Sequence, residues 1–155
     1  MKQHQLTNDE INRLLSIEQV GRISTLNSNG FPYTIPVHFV FSNEKIYIHG
    51  LSKGQKITNI HASEKVCFEV DKMGAIIPGM KDSCGTNTEF ESVVILGTAT
   101  MVEEKEIKQK ALKHIVEKYT PQLCHLEFPE KMLKATSIIE INILECTGKY
   151  YRDTK

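Results

Sequence analysis

No tryptophan occurs in this chain, its charges of opposite sign cancel, and no apolar run is long enough to span a membrane. Each absence excludes something. Nineteen Lys and Arg against nineteen Asp and Glu leave no net charge, so the electrostatic footprint of a dedicated nucleic-acid binder is missing. Nor is there an aromatic-and-basic strand face of the kind a single-strand-binding barrel uses. Cysteine is sparse: Cys67, Cys84, Cys124 and Cys146 lie far apart with no C-x-x-C pair. That argues against a structural zinc site or a disulfide framework and fits free thiols in a reducing compartment. The opening MKQHQLTNDE is polar and shows no secretory signal, and a cytoplasmic protein is the expectation. With 155 residues, 40% hydrophobic and 25% charged, residues 1–155 are expected to form a single globular domain.

What is present centres on Ile46 to Ile60, IYIHGLSKGQKITNI: a short strand, a glycine-containing turn and the start of a helix. Ser52 followed by Gln55 has capping-box spacing, which predicts a helix from about Lys53 to Ala62 that buries Ile57 and Ile60. Lys53 and Lys56 then fall in its first turn, where cations oppose the helix dipole at a cost of roughly 0.3–1 kcal/mol each. A bound phosphate reverses that sign, because free N–H groups, the dipole and both ammonium groups all favour a dianion. Gly50 and Gly54 allow close backbone approach. The alternative is an ordinary solvated helix start.

Around this stretch, Thr7 and Glu10 form a second capping box for a helix to Ile17, with Ile11, Leu14 and Leu15 on one stripe. Arg22 to Leu26 reads as a strand, Asn27 to Gly30 as a turn, and Phe31 to Phe41 as a strand interrupted by Pro32 and Pro36. Proline cannot donate to a ladder, so an edge or break is expected near Pro36, leaving backbone groups free. If Asn43 and Glu44 form a two-residue hairpin loop, Phe41 faces Ile46, Phe39 faces Ile48, and His38 pairs with His49 on the opposite face. Those histidines are either solvent-facing sheet residues or ligand-facing ones; two ligands alone do not make a zinc site.

Lys65 to Val70 is another strand, and Met73 to Glu89 reads as a long loop, either a binding arm or plain disorder. Phe90 to Val102 is a strand with a bulge at Gly97, Lys105 to Tyr119 a helix ending before Pro121, and Pro129 to Ala135 a helical turn. Ser137 to Cys146 is the last strand. Six long antiparallel strands with two or three helices point to a mainly β fold, a small barrel or sandwich.

In order along the chain, GRISTLNSNGFPYTIPVHFVF, IYIHGLSKGQKITNI, KVCFEVD, ESVVILGTATMV and TGKYY resemble the pyridoxamine 5'-phosphate oxidase-related FMN-binding split-barrel family, most closely its nitroimidazole-resistance (Nim-like) group. The resemblance implies a six-stranded antiparallel split barrel with flanking helices, usually a homodimer with FMN at the interface. It implies that Ile35, Pro36, Val37 and His38 line the isoalloxazine, largely through backbone groups. The phosphate is then expected near Ser52, Lys53 and Lys56, with His49 and Gly50 close by. The partner subunit is expected to contribute from around Cys84 and from Glu91, Ser92 and Val93. The chain departs from true pyridoxamine-phosphate oxidases, which share an Arg- and Trp-bearing C-terminal segment that grips the pyridoxal substrate, whereas this one ends YYRDTK.

The leading expectation is therefore an FMN-dependent oxidoreductase acting on a small, flat, electron-poor acceptor such as a nitroaromatic, with His49 or His38 as the candidate proton donor. No metal, nucleic acid or membrane is expected as a partner. The alternative is a flavin- or haem-binding module without turnover, in which His38 and His49 are possible axial ligands. The sequence leaves open whether the flavin is FMN or a larger deazaflavin.

Overall fold

The structure, a computed structural model, describes residues 4–79 and 85–153. The first helix, α1 (Asn8–Ile17), begins as its spacing predicts: the Thr7 hydroxyl accepts from the Glu10 N–H, and the Glu10 carboxylate accepts from the Thr7 N–H at 2.8 Å. Ile11, Leu14 and Leu15 are buried on its inner stripe. Then follow β1 (Gly21–Leu26), β2 (Pro32–Val37), β3 (Val40–Ser42), β4 (Lys45–Gly50), α2 (Gln55–Ala62), β5 (Lys65–Ile77), β6 (Asn87–Met101), α3 (Lys105–Tyr119), α4 (Glu130–Ala135) and β7 (Ser137–Tyr151).

The strands form one antiparallel sheet in the order β2-β1-β5-β6-β7-β4-β3. Among the described residues, seven strands stand where six are expected, because the proline-bearing stretch divides in two. The break falls at His38 and Phe39, two residues beyond Pro36, and Pro36 itself keeps its register opposite Arg22. β2 and β3 are consecutive in the chain yet occupy opposite edges of the sheet, which is the split of a split barrel. Both prolines sit on β2, an edge strand, where a missing N–H costs no ladder bond.

The β3–β4 turn is built on Asn43 and Glu44, both at positive φ (51° and 58°), and it sets Phe41 opposite Ile46 as the register predicts. The ladder stops at Val40 and Tyr47. The expected pairings of Phe39 with Ile48 and of His38 with His49 are therefore not made, because the chain is already crossing between edges there. The stretch Met73–Glu89 also differs from expectation. Lys72 pairs with Glu91, Met73 with Phe90, Ile76 with Thr88 and Ile77 with Asn87, so residues 73–77 and 87–89 belong to a β-ribbon rather than a loop. A register shift between Met73 and Ile76 breaks the period-2 pattern, which is why alternation did not reveal it.

Inside the barrel, Ile23, Phe39, Ile46, Ile48, Phe68, Val70, Val93, Ile95 and Ile141 are wholly buried. Phe39 meets Phe68 edge-on at 5.0 Å. α3 covers a second cluster formed by Val40, Tyr47, Ala111, Leu112, Ile115, Leu133 and Ile138. Gly97 marks a bulge as predicted: the register shifts between Leu96 and Gly97, and a Cβ there would lie 2.4 Å from the Asn142 carbonyl oxygen. No helix is long and apolar enough to cross a membrane among the described residues.

Candidate functional site

The turn from β4 into α2 is where chemistry-bearing residues meet. Ser52 does not cap the helix. The N-cap is Gly54, at φ 121° and ψ 170°, a conformation open to glycine, and it supplies no side-chain cap. The expected Ser52/Gln55 capping box is thus replaced, because Gln55 instead donates to the Asn59 side-chain oxygen at 2.8 Å. The helix begins at Gln55 rather than Lys53, and its first internal bonds come from the Ile57 and Thr58 N–H groups to the Gly54 carbonyl at 3.0 Å each. The N–H groups before these have no intrahelical acceptor.

Lys56 is the lysine of this first turn; Lys53 is exposed in the loop before it. The Lys56 ammonium lies over Gly50, 3.7 Å from where a Cβ on that residue would stand. Partial burial holds its pKa below the ordinary lysine range, with no acidic group among the described residues offsetting it. Next to Gly50, His49 has its imidazole held below the usual His range, first by burial and then by His38 and Lys56. The residue as a whole is nonetheless exposed. Although the His38–His49 ladder pair is absent, the structure brings His38, His49, Gly50 and Lys56 into one electrostatic neighbourhood.

Three buried or half-buried polar groups that sequence reasoning passed over support the turn. Asn59, 2% exposed, donates to the Thr25 hydroxyl at 2.9 Å and to the Asn27 side-chain oxygen at 2.8 Å. That network ties α2 to the end of β1. An asparagine on the inner stripe of an amphipathic helix was the available signal.

The other predicted residues fall in distinct places. Ile35 and Val37 turn inward and pack against the core, leaving Pro36 and His38 exposed, and β2 keeps a free backbone edge. Ser52 is exposed on the loop before α2. Val93 is fully buried. Ser92 lies half-buried between Asp71 and Lys149 in the ladder. Glu91 is held by Arg13 and by Arg152, the latter at 2.8 Å, and these guanidinium groups keep its carboxyl below the usual range against the opposing effect of burial. Cys84 lies outside the described residues; Cys67, Cys124 and Cys146 are free thiols.

The fold and its open edge define a split β-barrel, and solved structures share it. A protein described as a candidate 5-nitroimidazole antibiotic resistance protein of Bacteroides thetaiotaomicron superposes with a TM-score of 0.84 at 19% identity, over 94% of this chain and 86% of its own. The flavocytochrome Anf3 of Azotobacter vinelandii gives 0.84 at 21% identity, over 95% and 68%. The FAD- and haem-binding protein of Mycobacterium smegmatis gives 0.88 at 16% identity, over 97% and 75%. A comparison with curated proteins finds no match. The pyridoxamine 5'-phosphate oxidase family model matches residues 7–150, and the chain belongs to that family.

Proposed function

We propose that the chain, as one domain, is an FMN-dependent oxidoreductase that reduces a small, flat, electron-poor acceptor such as a nitroaromatic. The observation that carries this reading is the Lys56 ammonium: half-buried, without an acidic partner among the described residues, and set over Gly50 at the uncapped start of α2. An anion is what that arrangement lacks. The residues fit a flavin phosphate, with Lys56, the first N–H groups of α2 and His49 holding it, and with Ser52 and Lys53 at the rim. The backbone edge of β2 from Ile35 to His38 would meet the ring. Bound there, the flavin supplies two-electron transfer between a reduced nicotinamide and the acceptor. His49 is the protein group placed to deliver a proton, and an anion bound beside it would counter the lowering of its pKa by burial, His38 and Lys56.

A homodimer belongs to the same reading. The outer sheet face presents Val94, Leu96 and Leu144 to solvent, with Leu96 in register with Cys67, an apolar row suited to a second copy. The likeness in fold to the resistance protein supports the choice of acceptor. The flavocytochrome and the FAD- and haem-binding protein share the fold, and they favour a second reading in which the chain holds flavin or haem without turnover.

The visible spectrum of the purified protein separates these. A two-band flavin spectrum, release of FMN rather than FAD at one per subunit, and nicotinamide-driven nitroaromatic reduction are expected. A Soret band would turn the assignment to haem. A colourless protein that fails to bind added FMN would end the flavin reading.

A further inference from the structure

Where the chain leaves β2 and enters β3, Phe39 has no strand neighbour for its backbone. One side chain takes its place. The Tyr119 hydroxyl, from the last turn of α3, accepts from the Phe39 N–H at 2.9 Å and lies 2.8 Å from the Phe39 carbonyl and 2.7 Å from that of Gln19. Its single proton serves those two acceptors. Lys118, one residue earlier, lies 3.8 Å above the Phe39 ring and donates to the Leu15 carbonyl at 3.0 Å. The end of α3 thus clamps the changeover between the two sheet edges.

His38 immediately precedes the clamped residue, and its imidazole stacks on the Tyr119 ring with centroids 4.6 Å apart and planes 27° from parallel. We propose that Tyr119 is a positioning residue for the basic cradle: its hydroxyl fixes the peptide at Phe39 and its ring fixes the imidazole of His38, which sets how close His38 stands to His49. This rests on the reading of the cradle as the flavin site. Tyr119 acts through His38 and touches no ligand itself. The chain reaches this arrangement because an edge-to-edge crossover leaves both groups of a buried peptide unpaired, and a phenol supplies donor and acceptor together. In the sequence, Tyr119 reads only as the last member of an apolar helical stripe.

The test is histidine titration by NMR on the flavin-free protein, so that it does not depend on cofactor loading. The groups facing His49 are His38 and Lys56, and His38 faces the Tyr119 ring. If Tyr119 acts through His38, Tyr119→Leu and His38→Asn each raise the His49 midpoint, and the double variant shows no further rise. Tyr119→Phe, which keeps the ring, retains the upfield ring-current shift of His38 with a smaller effect on His49. Should Tyr119→Leu fail to fold, that shift in the unmodified protein still decides whether the stack exists, and its absence overturns the proposal. Equal effects of Tyr119→Leu with and without His38 would also overturn it, leaving the tyrosine a structural clamp alone. FMN titration of the same proteins separates the two claims: failure of the unmodified protein to bind flavin removes the flavin reading, whereas intact coupling with no loss of affinity in Tyr119→Leu removes the functional part of this one.

Discussion

Asn59 of α2 and Thr25 of β1, 34 positions apart, are joined by a buried hydrogen bond of 2.9 Å from amide to hydroxyl. The Asn59 amide also reaches Asn27, and its oxygen accepts from Gln55. One side chain therefore fixes the helix that carries Lys56 against the strand next to the open edge β2.

Replacing Asn59 with Leu keeps the branched shape, adds bulk, and removes a polar partner from Thr25, itself 3% exposed, and from Asn27 and Gln55. Destabilisation of about 1–3 kcal/mol is expected, from the cost of leaving buried polar groups unpaired. Urea unfolding at fixed m-value measures it. FMN affinity should fall along with stability, because the first turn of α2 loses its anchor; unchanged affinity at reduced stability would show that α2 is held in place by Ile57 and Ile60 instead.

Lys56 predicts the opposite pairing of effects. Its pKa is depressed by burial without a compensating acid, so its protonation opposes folding: the contribution is full only above the unfolded value and is lost as pH falls through the folded one. At neutral pH, Lys56→Met should leave the melting temperature unchanged or slightly raised while FMN affinity drops by at least about tenfold, the loss of one charge-assisted phosphate contact. Isothermal titration and thermal melts on the same preparation check both signs. A variant that binds FMN as tightly as the unmodified protein contradicts the phosphate assignment.

These relations show what was legible in the sequence. Thr7 and Glu10 announce α1 because a capping box is a local device, and Asn43–Glu44 announce the hairpin for the same reason. Gly97 marks its bulge because only glycine admits the Asn142 carbonyl so closely. The Ser52 cap failed where Gly54 took the role through a backbone conformation that no side-chain pattern records. The pairing of residues 73–77 with 87–90 was hidden by its register shift, and Tyr119 by distance, since it meets Phe39 across 80 positions. In the cradle, residue types spoke for themselves, whereas the groups that hold them in place, Asn59 and Tyr119, read as ordinary members of helical stripes.

Binding of a phosphate should shift the titration of His49. Its free midpoint lies below the ordinary His value, and a nearby dianion favours the imidazolium, so the bound midpoint lies higher. FMN affinity is then expected to decline as pH rises from the free midpoint through the bound one and to level off above it. Ionisation of the phosphate itself near pH 6 works against this trend at the acid end. His49→Gln removes the His49 part and leaves the phosphate part, so the difference between the two affinity profiles isolates it; coincident profiles would mean that His49 does not face the anion.

Gly21 faces the ring of Phe68 so closely that an added Cβ would stand 2.2 Å from its Cζ. Phe68 is fully buried and packed edge-on against Phe39, so the ring cannot retreat without disturbing the residue that Tyr119 holds. Gly21→Ala should cost about 1–3 kcal/mol through overpacking. Gly21→Ala combined with Phe68→Leu should recover part of that loss in denaturant unfolding. If the single variant is as stable as the unmodified protein, β1 and β5 have more freedom than this packing allows.

Lys118 gives the clearest dependence of stability on pH. Burial lowers its pKa to about 8, with Glu18 acting in the opposite direction, against an ordinary value near 10.4. A depressed folded value means that the neutral amine is the form folding prefers, and the neutral amine still donates to the Leu15 carbonyl. The favourable contribution is present above the unfolded value and is lost as pH falls through about 8, so stability should rise between pH 8 and 10. Tyr47 and Tyr119, both with raised pKa values, lose protons only at higher pH and oppose the trend there, Tyr47 near 12. Lys118→Met keeps a flexible chain over the Phe39 ring and removes the titration. Its melting temperature should be flatter across this window than that of the unmodified protein, and parallel profiles would show that the ammonium escapes to solvent rather than sitting on Phe39.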